Sequence, residues 1–231
     1  MHKILLLGAG RSSSTLIRYL SDNSEREGWK ITVGDASEEL AIEKTKDCVN
    51  NNPIKFNVND NKQRQNEITD CDIVISMLPP DLHYLVAEDC VDFGKNMVTA
   101  SYVSDKIQAL DKRAREKGVL LLNEMGLDPG IDHLSAMKII DEIKEKDGKI
   151  NAFKSYTGGL IAPEYNDNPW GYKFTWNPRN VVLAGQGTAK FIENSEYKYV
   201  PYNRLFEQID LIDIDGYGKF EGYANRHFCF F

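Results

Sequence analysis

The feature that most constrains the fold is a regular alternation of short apolar runs with longer polar segments in the first half of the chain. The polar segments are long enough for helices, and they have apolar residues at helical spacing. Strands separated by helix-length segments are typical of βαβ units and a parallel sheet, and apolar runs without alternation suit strands buried on both faces. The sequence therefore predicts an α/β fold that begins with a Rossmann-type, doubly wound parallel sheet. The predicted strands are Lys3–Leu7, Ile31–Gly34, Ile54–Val58, Asp72–Leu78, Asn96–Ala100 and Val119–Leu122.

The second half of the chain has a different character. Gly130–Lys146 has apolar residues on one helical face and is followed by a glycine, so it predicts a helix. Lys149–Tyr156 predicts a strand, and the residues from Asn194 onward show no clear period. We therefore expect a nucleotide-binding domain over residues 1–127 and an incomplete α+β substrate domain over residues 128–231.

Charge and composition exclude several classes of function. Lys and Arg number 28 and Asp and Glu number 35, which gives a net charge of −7. An acidic chain without a basic stripe is not typical of proteins that bind nucleic acid or anionic membranes. The apolar runs are far shorter than the ~18 residues of a membrane span, and no signal peptide precedes the first strand. We expect a cytoplasmic protein without a metal site, whose four cysteines are free thiols because none is spaced as C-x-x-C.

A glycine-containing turn follows the first predicted strand and precedes the first predicted helix. In Gly8-Ala9-Gly10, the first glycine permits a tight turn and the second lets the backbone approach a pyrophosphate at the helix N-terminus. Ser13 stands where the dinucleotide fingerprint has its third glycine. The alternative is a plain βα turn that needs two glycines. The dinucleotide prediction includes Gly8, Gly10, Arg11, Ser12 and Ser13.

Asp35, at the end of the second predicted strand, is the candidate ligand of the adenosine ribose. It lies 25 residues after Gly10, near the ~20 expected for this role. Its alternative role, compatible with the first, is to cap the following helix. Ligands of such sheets bind outside the carboxyl ends of the strands, so the residues at the other strand ends are also cofactor candidates. They are Asn57, Val58, Met77, Leu78, Thr99, Ala100 and Ser101; for Met77 and Leu78, core packing is the alternative.

Asn123–His133 is unusually polar for a strand-to-helix junction. Four further motifs accompany it: Ser101-Tyr102, Ser155–Leu160, Asp167–Trp176 and Tyr223–Arg226. Together they resemble motifs of the saccharopine dehydrogenase family, specifically its L-glutamate-forming branch. The resemblance runs from about residue 2 to residue 226. Because family chains are about twice as long and the apolar end His227–Phe231 has no turn signal, we expect this chain to be C-terminally truncated.

The resemblance implies roles for individual residues. Ser101 and Tyr102 would contact the substrate, and Asp128 would lie beside the reacting centre, which makes Asp128 and Tyr102 the catalytic candidates. The alternatives are a turn-initiating aspartate before Pro129 and a packed aromatic with a satisfied hydroxyl. Arg226 would bind a substrate carboxylate with its fork of donors. The cofactor would also contact Leu127, Trp176 and Asn177.

Two residues depart from the family pattern. Thr157 stands where family members commonly have a cysteine, so a thiol proton carrier is not expected. The arginine that NADP-dependent fungal members place after the second strand is absent around Asp35. The cofactor is therefore expected to be NAD or NADP, with NAD favoured.

The implied activity is oxidative cleavage of saccharopine, a small-molecule substrate, to L-glutamate and L-2-aminoadipate 6-semialdehyde. A full-length form could be a homodimer. One alternative is a carboxynorspermidine dehydrogenase-like enzyme. The other is a catalytically inactive fragment that binds nucleotide.

Overall fold

The computed structural model describes residues 1–174, 178, 181–182 and 187–224. Its first part is built on a six-stranded sheet in the order β3-β2-β1-β4-β5-β6, and every pair of neighbouring strands is parallel. The predicted α/β fold is thereby confirmed. The strands are β1 His2–Leu7, β2 Trp29–Asp35, β3 Asn51–Lys55, β4 Ile73–Ser76, β5 Asn96–Thr99 and β6 Leu121–Leu122. The helices are α1 Ser14–Glu27, α2 Glu38–Thr45, α3 Asn61–Asp70, α4 His83–Phe93, α5 Asp105–Gln108, α6 Asp111–Glu116 and α7 Ile131–Glu145.

Strand β1 is the centre of the sheet, and its side chains contribute to two separate cores. Leu5 and Leu7 pack into one hydrophobic cluster with residues of α3 and α4, whereas Ile4 and Leu6 pack into another with residues of α1 and α2. Successive residues of a strand point to opposite faces. The unbroken apolar run therefore follows from helices covering both faces of the sheet, as the predicted doubly wound architecture requires.

A buried ion pair joins helices α3 and α4. The Arg64 Nε donates to Asp89 Oδ2 at 2.6 Å, and both side chains are more than nine-tenths buried. A second guanidinium nitrogen of Arg64 donates to the backbone carbonyl of Val58, and Gln65 donates to the other oxygen of Asp89 at 3.3 Å. Charges that are buried must be paired and hydrogen-bonded, so this network fixes the helix pair to the loop after β3.

Residues 1–151 and 152–231 form two compact units. The second contains two antiparallel hairpins, β7 Ala189–Glu193 with β8 Glu196–Val200 and β9 Ile209–Ile214 with β10 Gly218–Tyr223. The predicted strand Lys149–Tyr156 is wrong, because this segment pairs with no strand among the described residues. The predicted boundary at 127/128 stays a prediction. No helix in the described part of the chain is long and apolar enough to cross a membrane.

Candidate functional site

The two glycines of the first turn have different surroundings. Gly8 has a φ of +104°, and a Cβ atom on it would lie 2.7 Å from the backbone oxygen of Met77. Gly10 has an ordinary φ of −67°, and a Cβ on it would meet no atom within 4 Å. Gly8 is therefore required by the fold itself, whereas the space in front of Gly10 can admit a ligand.

Ser13 stands in the position of the third glycine of the fingerprint, and its side chain forms a hydrogen bond within the turn. Its side chain is buried, and its hydroxyl donates to the Gly10 carbonyl at 2.8 Å. It belongs to a helical turn over Arg11–Ser13 that leads directly into α1. A helix N-terminus presents backbone N–H groups that suit a phosphate. The turn and the helix start thus have the arrangement that the sequence predicts.

Asp35 ties the glycine turn to the next βα unit. One carboxylate oxygen accepts the Ala9 backbone N–H at 2.7 Å, and the other accepts the Ser37 backbone N–H at 3.0 Å. Asp35 does not cap helix α2; the Ser37 hydroxyl does so by accepting the Leu40 N–H. The carboxylate therefore holds the turn in shape whether or not a ribose is bound.

The other predicted cofactor residues follow the ends of β3, β4 and β5. Met77 continues the ladder, since its N–H donates to the Leu7 carbonyl at 2.7 Å. Leu78 packs against the core and Val58 is buried within it, so both have a structural role. Asn57 forms a turn in which its side chain accepts the Asn59 N–H at 3.1 Å. Their contacts with a cofactor stay predictions.

The structure brings together the two catalytic candidates, Tyr102 and Asp128. The Tyr102 hydroxyl donates to Asp128 Oδ1 at 3.1 Å. Partial burial and then the Asp128 charge raise the pKa of Tyr102 to about 12, so Tyr102 keeps its proton at neutral pH. In this hydrogen bond Asp128 is the acceptor, and Tyr102 is the donor that orients its carboxylate.

The loop that contains Asp128 is fixed to the end of β5. The Met125 N–H donates to the Thr99 carbonyl, and the Glu124 N–H donates to the Ser101 carbonyl, both at 3.1 Å. Further along, the Gly126 and Gly130 backbones form a bridge across the turn that contains the cis peptide bond before Pro129. The candidate residues after β5 and before α7 therefore form one rim, on which Leu127 is exposed.

Sequence reasoning missed a buried histidine beside this rim. His83, at the start of α4, bonds Ser76 Oγ through Nδ1 at 2.8 Å and Ser101 Oγ through Nε2 at 2.7 Å. Its ring is buried, and burial lowers its pKa to about 4. Its only sequence signal is a polar residue next to the apolar face of the predicted helix. Another histidine, His133, has its Nδ1 2.6 Å from Asp132 Oδ1.

No group of His, Cys, Asp and Glu in the described residues could hold a metal ion. The free cysteines there are Cys48, Cys71 and Cys90. Burial raises the pKa of Cys71 to about 11 and raises that of Cys90 as well. Since thiolates are the reactive form of cysteine, these two buried thiols are poor nucleophiles in the folded protein.

Comparison with known families assigns the chain. Residues 4–122 match the profile of the saccharopine dehydrogenase NADP binding domain, and residues 126–230 match that of the saccharopine dehydrogenase C-terminal domain. The chain belongs to the saccharopine dehydrogenase family. The resemblance inferred from the sequence motifs is thereby confirmed.

Individual members of the saccharopine dehydrogenase family are similar over nearly the whole chain. The NADP(+), L-glutamate-forming saccharopine dehydrogenase of Pyricularia oryzae is 40% identical over 96% of this chain and 49% of its own length. The mitochondrial alpha-aminoadipic semialdehyde synthase of Mus musculus is 36% identical over 97% of this chain and 24% of its own. The apo structure of L-Glu-forming saccharopine dehydrogenase from Saccharomyces cerevisiae superposes with a TM-score of 0.86 at 34% identity, covering 98% of this chain and 50% of that one. The chain thus spans about half the length of these fungal relatives.

Several residues implied by the saccharopine dehydrogenase motifs lie in the second unit. Trp176, Asn177 and Arg226 fall outside the described residues. Beside Thr157, the Tyr156 hydroxyl and the Lys154 ammonium both donate to Asp210 Oδ2 at 2.8 Å. These bonds fasten the extended motif to strand β9 by side chains.

Proposed function

We propose that this chain takes part in the oxidative cleavage of saccharopine to L-glutamate and L-2-aminoadipate 6-semialdehyde with a nicotinamide cofactor. The observation that supports this most directly is the Tyr102–Asp128 pair, 3.1 Å apart, on the rim that follows β5 in a dinucleotide-binding fold. The names of the fungal relatives support the choice of substrate.

The cofactor site fits the open space at Gly10 and the helix start at Arg11. The Ala9 N–H is already bonded to Asp35 and the Ser13 N–H to the Gly10 carbonyl, so the N–H groups of Arg11 and Ser12 are the candidate donors for the pyrophosphate. When bound, the nicotinamide ring supplies the acceptor for the hydride that leaves the lysine-side carbon of saccharopine. All other steps are the task of protein side chains.

Asp128 is the proposed proton acceptor. Loss of hydride leaves an imine, water adds to it, and the resulting carbinolamine collapses to the amine of glutamate and the aldehyde. The protonated substrate amine and the added water each release a proton in this sequence, and one proton returns to the nitrogen that leaves as the amine of glutamate. A carboxylate at the rim can accept and return these protons, with a net release of one. Tyr102, which stays protonated, holds this carboxylate in place through its hydroxyl.

The test is saccharopine-dependent formation of reduced nicotinamide and of glutamate by the purified chain. Asp128→Asn should lower kcat by about 10² or more because general base catalysis contributes 10²–10⁴. Tyr102→Phe keeps the carboxylate and should have a smaller effect. If the unsubstituted chain binds nucleotide and yields no glutamate, the function is contradicted, and the inactive nucleotide-binding alternative is supported.

We propose NADP as the cofactor rather than NAD. The matching profile is named for NADP and the fungal relatives are named for NADP(+), so the preference for NAD is not supported. The hydrogen bonds of Asp35 to Ala9 and Ser37 provide a reason for this carboxylate that does not involve the ribose. Arg11, exposed beside the turn, is the candidate partner of the 2′-phosphate.

Dissociation constants of NADP and NAD test this choice. Arg11→Ala should weaken NADP by about tenfold and NAD much less, because only NADP has the extra phosphate. Arg18→Ala, an exposed arginine of α1, is the matched control. Asp35→Ala should weaken both nucleotides because the turn loses its brace. Tighter binding of NAD than of NADP would contradict the proposal.

A further inference from the structure

His83 connects two strand ends across the interior of the first unit. It is the first residue of α4 and is 2% exposed. Its Nδ1 lies 2.8 Å from the hydroxyl of Ser76, the last residue of β4, and its Nε2 lies 2.7 Å from the hydroxyl of Ser101, two residues after β5. Both ring nitrogens therefore form hydrogen bonds, and Ser101, at one end of this series, lies on the rim with Tyr102.

The surroundings of Ser76 decide which ring nitrogen has the proton. Ser76 is completely buried, and Nδ1 is its side chain's only hydrogen-bond partner among the described residues. If Nδ1 held the proton, the Ser76 hydroxyl hydrogen would be buried without an acceptor, which is unfavourable. The Thr99 hydroxyl lies farther from the ring, with its Oγ1 3.5 Å from Nε2, so the 2.8 Å contact of Ser76 dominates and Ser76 donates to Nδ1. In a neutral imidazole the other nitrogen is then the donor, so Nε2–H donates to Ser101 Oγ.

This direction determines what Ser101 can offer a ligand. Its oxygen accepts the histidine N–H, so its own hydroxyl hydrogen is left to donate outward. The Ser101 backbone is fixed as well, because its N–H donates to Thr99 Oγ1 at 3.3 Å and its carbonyl accepts from Glu124. Unlike His83 and Ser76, Ser101 is partly accessible to solvent. A fixed, outward O–H donor suits an oxygen acceptor, and a carboxylate is the strongest of these.

We propose that His83 is a positioning residue that holds the Ser101 hydroxyl as a hydrogen-bond donor to a carboxylate of the substrate. This inference rests on the proposed function, in which the substrate has several carboxylates. His83 acts only through Ser101 and does not touch substrate.

The first test measures saccharopine binding to the full chain, by calorimetry with saturating NADPH, for three single variants. His83→Leu removes the N–H donor and Ser101→Ala removes the hydroxyl, and each should weaken binding about tenfold or more, as expected for a lost bond to a charged group. His83→Gln keeps an N–H near the position of Nε2 and should stay within about threefold of the unsubstituted chain. The double variant His83→Leu/Ser101→Ala should be no weaker than Ser101→Ala alone, since His83 works through Ser101.

Several outcomes would overturn the inference. Additive effects in the double variant, or a parallel loss of NADPH affinity, would mean that His83 supports the fold or the cofactor instead. If the unsubstituted chain binds NADPH but not saccharopine, the proposed function fails. The same comparison with glutarate, a plain dicarboxylate, then decides the inference, and absence of any effect of His83→Leu on glutarate binding contradicts it.

A second test observes the protonation state of the His83 ring directly in the unsubstituted chain. In ¹⁵N-histidine NMR spectra, His83 should be the neutral tautomer protonated at Nε2, with its signals identified by their loss in His83→Gln. Protonation at Nδ1 would reverse every hydrogen bond of the series and remove the outward donor of Ser101. That result would refute the inference whatever the substrate is.

Discussion

Gly8 is required by the fold and Gly10 by the bound ligand, so substitutions at the two positions should have different effects. Gly8→Ala would introduce a strained φ and a clash with the Met77 carbonyl, so it should reduce the free energy of unfolding by about 2–4 kcal/mol. Gly10→Val fills only open space and should change stability by less than about 0.5 kcal/mol. It should nevertheless weaken NADP binding at least tenfold. Urea unfolding and nucleotide titration of both variants test this contrast, and a stable Gly8→Ala variant would contradict it.

His83 makes stability depend on pH in a predictable direction. In the unfolded chain it takes up a proton near pH 6.5, whereas burial delays this in the folded protein to about pH 4. Acidification through this window therefore favours the unfolded state, and the cost is about 3 kcal/mol. The stability lost between pH 7 and pH 4 should be smaller in His83→Gln by this amount. Equal losses in the two proteins would show that the ring is already charged when folded.

Sequence reasoning identified Tyr102 and Asp128 from motifs, and the structure brings them into contact. It missed His83 because the bonds to Ser76 and Ser101 join three residues that are close only once β4, β5 and α4 are packed. It assigned Asp35 to the adenosine ribose, with capping of the following helix as a compatible second role. Its actual backbone partners depend on how the first two strand ends meet, which no spacing in the sequence specifies.

At the level of elements, five of the six parallel strands were predictable because each contains a short apolar run bounded by polar helices. The exception is β3, Asn51–Lys55, which is mostly polar and begins three residues before the predicted strand Ile54–Val58. The two antiparallel hairpins were not predicted. Asp215-Gly216 is a turn signal between β9 and β10, but the strands around it are mostly exposed and lack a clear apolar face. Lys149–Tyr156 has the composition of a strand, but it forms no backbone hydrogen-bond ladder with a strand of the described residues. The side chains of Lys154 and Tyr156 instead form hydrogen bonds with Asp210, and strand propensity does not predict such contacts.

The ion pair between α3 and α4 should show the asymmetry of buried charges. Asp89→Leu alone leaves the Arg64 guanidinium buried without its carboxylate, and we expect a loss of about 3–5 kcal/mol in unfolding free energy. The double variant Arg64→Met/Asp89→Leu removes both charges and should recover most of that loss. Unfolding in urea, which is uncharged, measures the unfolding free energy of both variants. A double variant no more stable than the single one would mean that the loss does not come from the unpaired Arg64 charge.

For the whole molecule, the compact units suggest a different place to divide the chain from the predicted boundary. Helix α7 belongs with the first unit, and its Ile131 N–H donates to the Gly126 carbonyl at 3.0 Å. A chain of residues 1–151 should therefore unfold cooperatively and bind NADP. A chain of residues 1–127 lacks α7 with its buried Ile140, and should be less stable by about 2 kcal/mol. Equal stability of the two fragments in urea would support division at residue 127.

Because Cys71 and Cys90 are buried, their modification by a thiol reagent can report local opening of the first unit. Both thiols lie in the cluster formed with α3 and α4 and resist ionisation, so a thiol reagent can modify them only when this layer separates from the sheet. The ratio of their alkylation rate in the folded protein to that in the unfolded chain, followed by peptide mass spectrometry, then gives the free energy of that opening. Cys48, which is only partly buried, should react first. NADP should slow Cys71 and Cys90 together if the opening that exposes them also disrupts the nucleotide site.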